Sequence, residues 1–140
     1  MANIRPATPT RNAMMDALVA RMNLGSGPAT LAMYTGTQPA NGDAAATGTL
    51  VGTLTFSDPA APAAADGTVT FSAITEDSST DNAGNPVTWA RVRDSDGNSV
   101  FDGDVGTSGS LINLNTVTIA AGGPLRVTSF TLTMPATITF

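Results

Sequence analysis

Threonine and apolar residues alternate in a four-residue pattern that occurs five times and constrains the fold of this chain more than any other feature. Threonine is β-branched and polar, so it suits the solvent side of a pleated strand while its apolar neighbours fill a core. The spacing between copies is irregular, which indicates separate strands and not a solenoid repeat. The five copies begin at Thr53, Thr68, Thr116, Thr131 and Thr137.

Further alternating runs bring the number of predicted strands to about eight. Segments rich in glycine, proline, asparagine and aspartate separate the runs, as is typical of an antiparallel sandwich or barrel. The sequence therefore predicts a mainly β fold. The additional runs cover residues 30–35, 87–93, 99–105 and 111–115.

Only one segment, residues 9–24, has the spacing of an amphipathic helix. Thr8 is placed to cap it, and Pro9 stands at the first helical position, where its missing N–H costs nothing. Residues 1–8 show no folding pattern and are expected to form a free arm, with residues 9–140 as a single β-sandwich domain that includes the helix. The apolar stripe of the helix consists of Met15, Leu18, Val19 and Met22.

The chain lacks cysteine, histidine and lysine, so all six of its positive charges are arginines. These absences remove disulfides, a cysteine nucleophile, histidine as the commonest general base, Schiff-base chemistry and most transition-metal ligands. A net charge of −5 has the wrong sign for binding nucleic acid. No run approaches the ~20 apolar residues of a membrane span, and no signal peptide is expected. Only 12% of residues are charged, which favours a surface that partners cover.

An aspartate-rich segment at residues 94–104 shares some features with a calcium-binding loop. Its glycine falls at the fourth place and not the sixth, and Val105 stands where a bidentate glutamate is needed. The spacing therefore disfavours calcium, and a two-residue hairpin turn at Asp96 and Gly97 is the better interpretation. No metal and no cofactor are expected.

The hairpin turn fixes the register of the two strands that flank it. Alternation then sends Val92 inward and Trp89 and Arg91 outward. An outward tryptophan beside arginines is typical of an interaction hot spot, and the alternative is a tryptophan tucked under residues 76–85. With Ser95 opposite Asn98, the predicted pairs are Arg93 with Val100, Val92 with Phe101, Arg91 with Asp102, and Trp89 with Asp104.

The sequence contains few residues that could catalyse a reaction. Asp102 and Asp104 share one face of a strand, so a paired-carboxylate hydrolase is the only enzyme that this inventory permits. No apolar surroundings are arranged to make one of them a general acid, and Arg91 lies beside both. We therefore expect a protein that is not an enzyme.

Partner contacts are predicted in the arm, in the hairpin, in the long loops at residues 36–48 and 57–67, and at the C-terminus. Pro135 should separate a last short strand from the strand before it. Two large apolar side chains at the chain end need cover, which predicts a homodimer, with a trimer as the alternative. The candidate partner-binding residues are Trp89, Arg91, Arg93, Asn3, Ile4, Arg5, Gln38, Pro39, Ile138 and Phe140.

Motifs of strand and turn residues extend from about residue 11 to residue 134. They include Tyr34-Thr-Gly-Thr-Gln-Pro-Ala40, Leu54-Thr-Phe-Ser-Asp-Pro59, Asp94-Ser-Asp-Gly-Asn98, Leu111-Ile-Asn-Leu-Asn115 and Val127-Thr-Ser-Phe-Thr131. Together they resemble a family of small structural proteins of tailed bacteriophages, and most closely the capsid cement, or decoration, proteins. The resemblance implies a β-sandwich of jelly-roll type and carries no catalytic residues.

The resemblance also implies a partner and a location. The partner is the major capsid protein, bound on the outer surface of the capsid so that neighbouring subunits are clamped together, after assembly in the host cytoplasm. One alternative is a phage tail or fibre component. Another is a carbohydrate-binding β-sandwich, which would need several exposed aromatic residues, whereas the chain has one tryptophan and one tyrosine.

Overall fold

A computed structural model describes residues 1–81 and 86–140 of the chain. The described part contains one α-helix near the N-terminus and nine β-strands. The helix is α1 (Thr8–Met22), and the strands are β1 (Asn3–Ile4), β2 (Thr30–Tyr34), β3 (Leu50–Thr55), β4 (Thr68–Thr70), β5 (Trp89–Arg93), β6 (Ser99–Gly106), β7 (Ile112–Leu114), β8 (Val127–Thr133) and β9 (Ile138–Thr139).

Seven of the strands form one curled sheet in the order β3-β2-β5-β6-β7-β8-β4, and β1 pairs with β9 in a separate two-stranded sheet. The predicted mainly β sandwich with one N-terminal helix is confirmed. Neighbouring strands are antiparallel except for β6 and β7, which run parallel. That parallel pair is short, since it joins only Val105 to Ile112 and Gly106 to Asn113.

The main core lies between the two halves of the curled sheet. Leu31 and Val92 come from the half that contains β2 and β5, and Ile112 comes from the other half; all three are fully buried. Phe130 of β8 links the halves, with its ring 6.3 Å from those of Phe56 and Phe101. Alternation along the strands supplies these inward side chains, as the threonine pattern predicts.

Helix α1 covers a second, smaller apolar cluster. Met15, Val19 and Met22 of the predicted stripe are buried, and the first two pack on alanines of the long segment 57–67. Backbone N–H groups at Ala60, Ala64 and Gly67 donate to side chains of α1 and of the residue that follows it. The 57–67 loop is therefore held against the body of the protein. The acceptors are Asn23, Asp16 and Asn12.

Three predictions of local structure are wrong. Thr8 does not cap the helix, because the N-cap is Ala7 without a side-chain hydrogen bond, and α1 ends at Met22 and not at residue 24. Residues 116–119 have the threonine pattern but form no strand, because the Thr116 hydroxyl bonds locally to the backbone N–H and carbonyl of Thr118. The N-terminal arm is not free, since its residues Asn3 and Ile4 pair with Thr139 and Ile138. The last short strand nevertheless follows Pro135, as predicted.

Candidate functional site

The β5–β6 hairpin carries three of the ten residues predicted to bind a partner, namely Trp89, Arg91 and Arg93. Its register matches the sequence prediction at Trp89 with Asp104, Arg91 with Asp102 and Val92 with Phe101. The predicted pairing of Arg93 with Val100 is wrong, because a bulge after Val92 places Arg93 opposite Ser99. The turn is one residue longer than predicted, and the backbone N–H of Asp94 donates to the carbonyl of Asn98.

Asp94 organises this longer turn through its carboxylate. Its Oδ1 accepts from the backbone N–H groups of Asp96 and Asn98, and the Asn98 side-chain amide donates to both of its oxygens. These contacts, the Asn98 side chain first, hold the pKa of Asp94 below its ordinary value. Gly97 closes the turn with φ +86°, a conformation that glycine adopts readily. The segment is thus a three-residue hairpin loop, in agreement with a turn and not a calcium loop.

A stacked aromatic pair and a paired arginine fill the face of β5 opposite the main core. Trp89 stacks on Tyr34 with ring centroids 4.6 Å apart. Arg91 lies over the same indole at 5.6 Å and donates two hydrogen bonds to Asp102, at 2.7 and 2.8 Å. The ion pair is buried, since each side chain is 4% exposed. The hydrogen bonds to Asp102 raise the pKa of Arg91 above its ordinary value.

The expectation that Trp89 is exposed is wrong: its exposure is 0%, and that of Arg91 is 3%. The chain at the start of the segment 36–48 contacts this part of β5, since the Trp89 indole N–H donates to the carbonyl of Thr35, just before the segment, and the Thr88 hydroxyl donates to the carbonyl of Gly36. A Cβ on Gly42 would lie 3.8 Å from the Cα of Phe101, so the segment reaches β6. The alternative cover, residues 76–85, includes residues 82–85, which lie outside the described residues.

The other candidates on this side differ in exposure. Arg93 is half-buried and donates to the Tyr34 hydroxyl and to the carbonyl of Gly97. Gln38 is exposed and Pro39 half-buried on the 36–48 segment. The cluster therefore works as a support that holds this segment in place, and the segment itself presents the outer surface.

The two aspartates considered for catalysis have separate roles. Asp102 accepts both hydrogen bonds from Arg91, and Asp104 is exposed and accepts from the backbone N–H of Leu111. Among residues 1–81 and 86–140, no three potential metal-ligating side chains of histidine, cysteine, aspartate or glutamate come together. This arrangement explains both carboxylates as structural groups.

The chain ends form an exposed two-stranded unit, here called the terminal ribbon, which consists of residues 2–5 and 137–140. It brings together five of the predicted partner-binding residues. Phe140 is 74% exposed and Ile4 is 48% exposed, while Ile138 is half-buried. The Phe140 backbone N–H donates to the carbonyl of Ala2, which extends the pairing to the last residue. Asn3 and Arg5 are exposed on the same unit.

A groove that sequence reasoning did not find lies between β8 and the chain that follows β4. Its volume is about 290 Å³. Phe71 and Phe130 line it, together with serine and threonine side chains, and no lining residue is charged. The groove arises because β4 has three residues and β8 has seven, a difference that the sequence does not signal, since the runs at Thr68 and Thr131 are equally long. The full lining is Thr70, Phe71, Ser72, Ile74, Val127, Thr128, Ser129, Phe130 and Thr131.

No protein-family model, no curated protein and no solved structure matches the chain. The described residues contain no helix that is long and apolar enough to cross a membrane.

Proposed function

We propose that this protein is a non-enzymatic virion component, a cement or decoration protein that binds the outer surface of a phage capsid and clamps neighbouring major capsid protein subunits together. The observation that carries the proposal is the terminal ribbon, which presents Ile4 and Phe140 to solvent at the edge of a rigid sandwich. Exposed apolar side chains beside unpaired strand edges are suited to binding another protein. The resemblance to capsid cement proteins supplies the identity of that partner.

The proposed capsid contact is the β1 edge of the ribbon, with Asn3, Ile4 and Arg5, assisted by Gln38 and Pro39 of the outer segment. Trp89 and Arg91 contribute indirectly, because they are buried and hold that segment. The sequence predicts a free arm at residues 1–8, but residues 3 and 4 form an ordered strand. The proposed capsid contact is therefore a strand and not a flexible arm. An ordered strand loses less conformational entropy on binding than a free arm does.

Ile4→Ser is the sharpest test of this contact, with Leu24→Ser as the matched control. The two side chains are 48% and 46% exposed, so their loss should change folding stability about equally. Ile4→Ser should lower the occupancy of purified heads, while Leu24→Ser should leave it unchanged. Equal occupancy for both variants would contradict the ribbon as the capsid contact.

The copy number on purified virions tests the proposed identity. A ratio to the major capsid protein near one, on DNA-filled heads that have lost their tails, is expected for a cement protein. A handful of copies that separate with the tails would identify a tail or fibre component and overturn the proposal. A carbohydrate-binding role is disfavoured, because Trp89 is buried and stacked on Tyr34, the one tyrosine of the chain.

A further inference from the structure

The groove beside β8 lies at the edge of the strand and not over one of its faces. Five consecutive residues of β8, from Val127 to Thr131, line it. Successive side chains of a strand point to opposite faces, so a groove over one face would be lined by alternate residues. A groove lined by every residue in turn runs along the backbone edge, where N–H and C=O groups point sideways.

This edge is open because two neighbouring strands differ in length. β4 pairs with β8 only at residues 131–133 of β8. Beyond Thr70 the chain turns away, and the Ser72 N–H donates to the carbonyl of Ala60. Within the described residues, no backbone hydrogen bond joins residues 71–74 to residues 127–130. Residues 127–130 of β8 therefore lie beside a strand on the β7 side alone, where Val127, Ser129 and Phe130 have partners and Thr128 lies at a bulge.

The opposite edge of the large sheet is covered by the chain itself. Thr55 of β3 exchanges two backbone hydrogen bonds with Thr75, at 2.7 and 3.2 Å. The N–H of Thr53 donates to the Asp77 carboxylate, and the same segment lies close to Gly52. Proteins commonly protect sheet edges in this way against pairing with another chain. The β8 edge has no comparable cover among the described residues.

We propose that the C-terminal segment of a second copy of this chain, residues 137–140, docks as an added strand in the groove beside β8. The inference goes beyond the proposed capsid contact and does not depend on it; it develops the homodimer that the sequence predicts. The segment has four residues, as many as the open stretch of β8, and it alternates threonine with Ile138 and Phe140. Neither its side chains nor the groove lining carries a charge, so docking leaves no side-chain charge unpaired.

The docked segment comes from a second copy because the protein's own C-terminus leaves from the other end of β8. The open stretch begins at Val127, and the chain departs after Thr133. Six residues of strand span about 20 Å, and the last short strand is already paired with β1 on one side. Its outer edge is available to a neighbour. Reciprocal docking of two copies gives a closed dimer with one self-complementary interface.

Ser72→Arg and Phe140→Ser test the two sides of this interface in the isolated protein. Ser72→Arg places a charge in the groove, and Phe140→Ser removes the side chain that would be buried there. Each should weaken the dimer about tenfold to a hundredfold in sedimentation equilibrium, as expected for the loss of one buried phenylalanine. Ser108→Arg and Met14→Ser, at exposed positions outside the groove and the ribbon, should leave the dissociation constant unchanged.

Cross-linking tests the contact directly, because the chain contains no cysteine. A mixture of Ser72→Cys and Thr139→Cys proteins, which keeps Phe140, should form a covalent heterodimer under mild oxidation, whereas Ser108→Cys with Thr139→Cys should not. A protein that is monomeric at every concentration, or a dimer unaffected by Ser72→Arg and Phe140→Ser, would overturn the inference. If the unmodified protein is itself monomeric and Ser72→Arg lowers head occupancy, the groove binds the capsid protein; that outcome keeps the proposed function and rejects self-docking.

Discussion

Replacement of Asp102 by asparagine should destabilise the protein by about 3 kcal/mol, at the lower end of the cost of breaking a buried ion pair. The carboxylate accepts two hydrogen bonds from Arg91, and both side chains are 4% exposed. Asparagine keeps the shape of the side chain and one acceptor oxygen. It removes the negative charge beside the buried guanidinium, which keeps the face of Trp89 and the amide oxygen as weaker compensation.

Urea unfolding measures this loss well, because Trp89 is the single tryptophan and stacks inside the affected cluster. Fluorescence therefore reports the cluster, and far-UV circular dichroism reports the sheet. For a chain of this length, about 3 kcal/mol corresponds to a decrease of roughly 10 °C in melting temperature. The two probes should give one transition if the cluster unfolds together with the sheet.

Two further variants decide whether charge burial is the cause. Asp104→Asn changes an exposed carboxylate two residues along the same strand and should shift stability by no more than about 0.5 kcal/mol. Arg91→Met combined with Asp102→Leu removes both charges and should recover most of the loss. A loss for Asp102→Asn as small as that for Asp104→Asn would show that water screens the pair and would refute the reasoning.

Two more changes probe the turns. Gly48→Ala should lower the free energy of unfolding in urea by at least about 1 kcal/mol more than Gly109→Ala. Both glycines have positive φ, but a Cβ at position 48 would collide with the carbonyl of Thr35, whereas a Cβ at position 109 would meet no other atom. Equal costs would contradict this packing. A decrease in pH should reveal the contribution of Asp94 to stability, because its pKa is lowered, mainly by the Asn98 side chain. The stabilisation by Asp94 is present above the ordinary aspartate pKa and is lost as the pH falls through the lower pKa of the folded state. In Asp94→Asn, the free energy of unfolding should therefore depend less on pH at the acid end. Parallel pH profiles for the two proteins would refute this role.

The sequence was sufficient to predict the strands, because a period of two reports directly which residues can lie in a half-buried sheet. Four of the five threonine runs overlap strands, namely β3, β4, β8 and β9. The fifth fails because its threonine hydroxyls satisfy nearby backbone groups and leave no need for a partner strand. The hairpin register was also predictable, since a turn and two alternating strands determine it up to a bulge.

The environment of Trp89 could not be predicted from the same pattern. Alternation along β5 predicts which face of the sheet the indole lies on, and that prediction is correct. It does not predict whether another segment of the chain covers that face. Here the chain that leads into the segment 36–48 contacts the indole through the carbonyl of Thr35, a backbone atom whose position residue type does not indicate. Pairing of Asn3 and Ile4 with the last strand is likewise too short to produce a pattern.

Three of the six arginines are occupied within the protein, and this affects how it can recognise a partner. Arg91 is paired with Asp102, Arg93 bonds to Tyr34, and Arg11 donates to the carbonyl of Met134 beside the terminal ribbon. Asp102 neutralises the charge of Arg91, whereas Arg93 and Arg11 bond to neutral oxygens and keep theirs. A partner that binds any of the three guanidinium groups has to displace an internal hydrogen bond. The terminal ribbon and the groove beside β8 instead offer a partner a strand edge together with apolar side chains.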